Sequence, residues 1–172
     1  MAREVLKFGV VAQSRPPVTK WAGRQVRPYA VLPSVPDAAP HTLLSDENGI
    51  ETWYLGTHDL ILHTGDTSHY QDNLMSRRPG VWVVIPEVED ARKADIRLVT
   101  VDPYEGEGLA LDTGVVVEVV GMPDVLRMKL EDFIARHHVD IPFKKRKRKP
   151  VDVEKDPRAP RILQPQDKWV RK

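Results

Sequence analysis

Six consecutive basic residues, Lys144, Lys145, Arg146, Lys147, Arg148 and Lys149, limit how much of this chain can fold into a core. From Lys144 to Lys172 there are twelve Lys/Arg against four Asp/Glu, with Pro150, Pro157, Pro160 and Pro165 among them. The large apolar side chains beyond the run are few: Ile162, Leu163 and Trp169. Such a segment buries too little apolar surface to offset its ordering entropy. The expected organisation is therefore a compact domain over 1–143 and an extended or disordered basic tail over 144–172. The first 143 residues hold fourteen basic and twenty-one acidic side chains, so the formal net charge of +1 conceals an acidic body with a cationic arm.

Within the body, hydrophobic patterning reads as α+β. Phe8, Val10 and Ala12 alternate as a short strand, and Gln25–Leu32 forms a second, with Pro28 marking an edge or a bulge. Asn48-Gly49 can take the positive φ angles of a tight hairpin turn between Thr42–Leu44 and Ile50–Leu55. A further turn at Gly56-Thr57-His58-Asp59 leads into Leu60–His63, giving a three-stranded meander. Asp66 or Thr67 caps a short helix carrying Tyr70 and Leu74 on one face. Val81–Ile85 has the near-continuous apolar character of a strand covered on both sides. Ile96–Val101 and Val115–Val120 add two more strands. Between them, Asp102-Pro103-Tyr104-Glu105 starts a helix that Gly106 and Gly108 weaken. Leu126, Leu130, Phe133, Ile134 and His137 make one stripe of a longer C-terminal helix. The expected architecture is an antiparallel or mixed sheet, open or barrel-like, with short helices and one longer C-terminal helix. Trp21, Trp53, Tyr54 and Trp82 are expected to supply core area.

Several chemistries are excluded by residue type. The chain has no cysteine, which removes disulfides, thiolate-bound zinc, iron–sulfur clusters and a cysteine nucleophile. No stretch has the glycines, lysine and Ser/Thr of a phosphate loop, and Gly106-Glu107-Gly108 lies among carboxylates that repel phosphate. No serine stands in Gly-x-Ser-x-Gly. No cofactor is expected. One cluster stays open as a ligand or metal site: His58, Asp59, His63, Asp66, His69 and Asp72 fall within fifteen positions. Of these, His63, Asp66 and His69 cross a strand-to-helix junction. The competing reading makes Asp66 a helix cap and the histidines ordinary surface or edge residues. His137-His138 reads as positive charge compensating a helix end. Trp53 and Tyr54 have a lesser alternative as a base-stacking platform.

The Lys144–Lys149 run is the candidate partner-binding element. It suits an acidic protein surface, a nucleic-acid backbone, anionic lipid or simple solubilisation. Six phosphate contacts on duplex DNA would give a log–log salt slope of about −5. The acidic body disfavours dedicated nucleic-acid recognition. No apolar run reaches the roughly 20 residues of a spanning helix, and the first residues lack a signal-peptide pattern, so a cytoplasmic location is expected.

The chain resembles a bacterial family known as domain of unknown function 3305. The resemblance is carried by Arg15-Pro16-Pro17 to Trp21, Trp53-Tyr54-x-Gly56, Leu60-x-Leu62-His63, Tyr70-x-x-Asn73-Leu74, Pro79-x-Val81-Trp82-Val83, Pro103-Tyr104-Glu105, and His137-His138-Val139 through Pro142-Phe143 into the basic run. Proteins of this kind often carry the label molybdopterin-guanine dinucleotide biosynthesis protein A, and their genes tend to lie beside molybdenum-dependent formate dehydrogenase and its maturation proteins. Nothing between Met1 and Gly23 matches the Gly-Gly-x-Ser-x-Arg-Met-Gly loop of that guanylyltransferase. The resemblance implies this setting rather than a chemistry, and together with the lack of a catalytic signature it leads to the expectation of a non-enzymatic accessory role in assembly or maturation of such an oxidoreductase. The expected partner is an oxidoreductase subunit or maturation factor, with nucleic acid bound through the tail, or a small metal- or ligand-binding enzyme using the His58–His69 region, as alternatives.

Overall fold

The computed structural model describes residues 3–140. The Lys144–Lys149 run, the rest of the tail and the domain limit at Phe143 lie outside the described residues.

Alternation and turn chemistry build two antiparallel sheets. The first contains β1 (Arg3–Arg15), β2 (Gln25–Leu32), β3 (Thr42–Glu47) and β4 (Ile50–His63) in the order β2-β1-β4-β3. The second contains β5 (Gly80–Pro86), β6 (Leu98–Thr100) and β7 (Val115–Gly121) in the order β6-β5-β7. Three α-helices complete the described residues: α1 (Thr67–Met75), α2 (Pro103–Leu109) and α3 (Asp124–His137). The fold is α+β, and neither sheet closes into a barrel.

The hairpin at Asn48-Gly49 has the expected geometry, with φ of 54° and 79° joining β3 to β4. The expected turn at Gly56–Asp59 is absent. Instead β4 runs unbroken through these residues, with Gly56 opposite Val10, Thr57 opposite Gly9, His58 opposite Phe8 and Asp59 opposite Lys7. Gly56 serves a bulge, at φ 122°, where the register against β1 shifts between Val10 and Val11. β1 is long enough to partner all of β4, so the meander has one strand fewer than the turn residues suggest. Pro28 lies on the sheet-edge strand β2, opposite Ala12 and beside a second register shift.

The core joins both sheets and the helices. Phe8, Val10, Leu60 and Leu62 meet Val81, Val83 and Ile85, with Leu126, Leu130 and Phe133 from α3 and Tyr70 from α1. β5 is buried on both faces, as its composition implies. Its Trp82 faces α2, where a Cβ on Gly106 would stand 2.2 Å from the indole Cγ. Gly106 is therefore the residue that lets the helix approach, rather than a defect in it. Trp53, Tyr54 and Trp82 are buried, but Trp21 is 97% exposed in the β1–β2 loop and contributes nothing to the core.

Candidate functional site

Two buried polar anchors set the frame around the His58–His69 region. Asn73 on α1 donates from Nδ2 to the carbonyls of Gly80 and Val101, 2.8 Å each, and accepts the Gly80 N–H at 3.0 Å. Three hydrogen bonds from one side chain tie α1 to the start of β5 and the end of β6. Tyr70, one turn earlier, accepts the His63 N–H through its hydroxyl at 3.0 Å. Burial pushes the Tyr70 phenol up to about 12, so the hydroxyl stays protonated while it holds the end of β4 against α1.

Asp102 is the residue that organises the site. It occupies the N-cap of α2, and its Oδ1 accepts the N–H groups of Tyr104 at 2.8 Å and Glu105 at 3.4 Å. Its own N–H donates to Thr100 Oγ1, and its Oδ2 lies 2.8 Å from His69 Nδ1. A carboxylate oxygen in that position places the imidazole proton on Nδ1 and leaves Nε2 with a lone pair in the neutral ring. The His69 ring packs 4.5 Å from the Tyr104 ring, and the Tyr104 hydroxyl donates to Asp72 at 2.9 Å, which raises the Tyr104 phenol above its ordinary value. Asp66, His69 and Asp102 each bring one ligand atom within 4.8 Å of the others.

A cleft of about 330 Å³ adjoins this group, lined among others by His58, His63, Asp66, Tyr70, Asp102 and Glu105. Burial pulls His58 below its usual range, against the opposing pull of Asp59.

A family model described as "Protein of unknown function (DUF3305)" matches residues 7–147. This chain belongs to the DUF3305 family. No curated protein and no solved structure matches it. The match reaches from β1 past the last described residue and takes in all the residues of the cleft.

In this DUF3305 chain, of the three residues His63, Asp66 and His69, the fold brings together Asp66 and His69. His63 lines the cleft but stands outside the three-residue group, and Asp102 takes its place. Asp66 holds the N-cap position of α1 yet makes no capping hydrogen bond with its side chain. The cap position expected for Asp66 is therefore found without a side-chain capping bond, and Asp66 lines the cleft. Asp102 was legible as a helix cap, but not as a partner of His69, because 33 positions separate them. At the end of α3, the His137 ring packs 4.7 Å from Phe133 of the same helix, while His138 Nδ1 lies 3.0 Å from Thr67 Oγ1 and links the end of α3 to α1. Two carboxylates and an imidazole are residue types that hold divalent cations, and a cation taking Asp102 and His69 together would have to displace the proton that Nδ1 shares with Asp102.

Proposed function

We propose that this DUF3305 protein is a non-enzymatic accessory factor acting in the cytoplasm, which docks onto a molybdenum-dependent formate dehydrogenase-type oxidoreductase and assists its assembly or maturation. The observation that carries this reading is the division of charge. The residues from Lys144 onward hold twelve cations against four carboxylates, and the preceding body is acidic. A cationic segment joined in sequence to an acidic domain suits steered encounter with a partner whose carboxylates are confined to a patch, whereas a nucleic acid is anionic along its whole length and would be repelled by the body. The gene context implied by the family resemblance supplies the class of partner. The test is affinity purification of the tagged full chain from its native host. An oxidoreductase subunit or maturation factor is expected in the eluate, and charge reversal of Lys144–Lys149 should remove it. Recovery without either protein overturns the reading, and retention on heparin with a steep salt slope would point to nucleic acid instead.

A second reading has its own observation, the Asp66–His69–Asp102 group beside the cleft. It makes the chain a binder of a divalent cation. Titration with Zn2+ or Mn2+ followed by calorimetry would show one site that Asp66→Asn weakens at least tenfold. A flat titration removes this reading and leaves the docking role untouched.

A further inference from the structure

The loop from Pro16 to Arg24, between β1 and β2, carries the most exposed apolar side chains of the described residues. Trp21 and Val18 are each 97% exposed, and every residue from Arg15 to Ala22 is exposed. The base of the loop, by contrast, is held firmly. Arg24 donates to the Ser14 hydroxyl at 2.9 Å and to the carbonyls of Ser14 and Gly49 at 3.0 Å each, with Glu51 3.4 Å away. Gly23 lies so close to the Glu89 carboxylate that a Cβ there would stand 1.9 Å from Oε1. Pro16-Pro17 stiffens the rising arm, and the Ala22 N–H closes a turn onto the Thr19 carbonyl at 3.2 Å. A tryptophan raised on a preorganised turn loses little freedom when a partner covers it, and tryptophan is among the side chains that dominate binding interfaces.

Charge says what covers it. Arg15 at the end of β1 and Lys20 in the loop are exposed cations with no Asp or Glu between them in sequence, whereas Arg24 is paired with Glu51 at the base. We propose that the Val18–Trp21 turn is a docking anchor that inserts into an apolar pocket rimmed by carboxylates on a partner protein. An anionic membrane fits less well, because two apolar side chains on one short turn bury too little area for stable interfacial anchoring. The inference rests on the docking reading above but places a second contact far in sequence from the basic run, so the two can fail separately.

The test uses the full chain and the formate dehydrogenase-type oxidoreductase purified from the native host. Trp21→Ala is expected to keep the melting temperature, since the side chain touches no core residue, and to weaken binding by 10- to 100-fold. Lys20→Glu should weaken it further as salt is lowered. Unchanged affinity for Trp21→Ala overturns the anchor while leaving the docking role intact. Should the oxidoreductase not bind the full chain at all, the docking role fails. A photo-crosslinking Trp21→p-benzoylphenylalanine variant in the native host then decides the anchor. An adduct to a protein peptide rich in carboxylates and apolar residues, lost on adding Lys20→Glu, supports it. Adducts confined to lipid or to a second copy of this chain, or no adduct, overturn it.

Discussion

Asn73 satisfies three buried backbone groups at once, and no neighbouring side chain duplicates any of those bonds. Asn73→Ala should therefore cost about 2–4 kcal/mol, because the Gly80 and Val101 groups lose their partners without reaching water. Urea unfolding would show this as a lowered midpoint with an unchanged slope. Two glycines of α2 make a paired prediction. Gly106→Ala drives a methyl into the Trp82 indole and should destabilise by about 1–3 kcal/mol. Gly108 has nothing within 4 Å of an added Cβ, so Gly108→Ala should stabilise by about 0.5–1 kcal/mol through helix propensity. Tyr70 gives a pH prediction. Its phenol is near 12 in the fold against 10.0 for the ordinary value, so between these the folded state binds more protons than the unfolded chain. The stabilisation is complete below pH 10 and is lost as pH rises toward 12. Absorbance at 295 nm should show one tyrosine ionising last, and Tyr70→Phe should abolish that step.

At the level of elements, α2 is a short helix whose cap does two jobs. Asp102 Oδ1 satisfies the helix start while Oδ2 fixes the tautomer of His69 on α1. Replacement by asparagine keeps a capping oxygen but turns an amide N–H2 toward Nδ1, which must then accept. Asp102→Asn is expected to move the ring proton of neutral His69 from Nδ1 to Nε2, read from imidazole 15N shifts, with about 1 kcal/mol or less lost in stability. Unaltered 15N shifts would show that Asp102 does not set the tautomer. β4 teaches a related lesson: Gly56-Thr57-His58-Asp59 has turn composition, yet the long β1 beside it supplies a pairing partner to every one of these residues. Local preference yielded to the ladder because each paired residue gains backbone hydrogen bonds that a turn would leave to water.

For the whole molecule, the described core runs from Leu6 to Ile134 and draws on both sheets and on α1 and α3. Deleting residues 144–172 should leave the melting temperature within about 2 °C of the full chain, since each kcal/mol lost would shift it by roughly 3–6 °C. A marked thermal loss would show that the basic segment contributes to the fold. Among the described residues, no helix is long and apolar enough to cross a membrane.

The sequence alone determined the acidic body and cationic arm, the Asn48-Gly49 hairpin, the doubly covered β5, the cap of α2 and the stripe of α3. Each follows from neighbours within a few positions, where backbone preference and hydrophobic period act directly. Tertiary structure decided the rest: Gly56 as a bulge, Gly106 as a contact with Trp82, Asp102 as the partner of His69, and Trp21 outside the core it was expected to fill. In each of these cases a residue's role depends on what lies opposite it in space, and that is set by how sheets and helices pack over separations that no local pattern encodes.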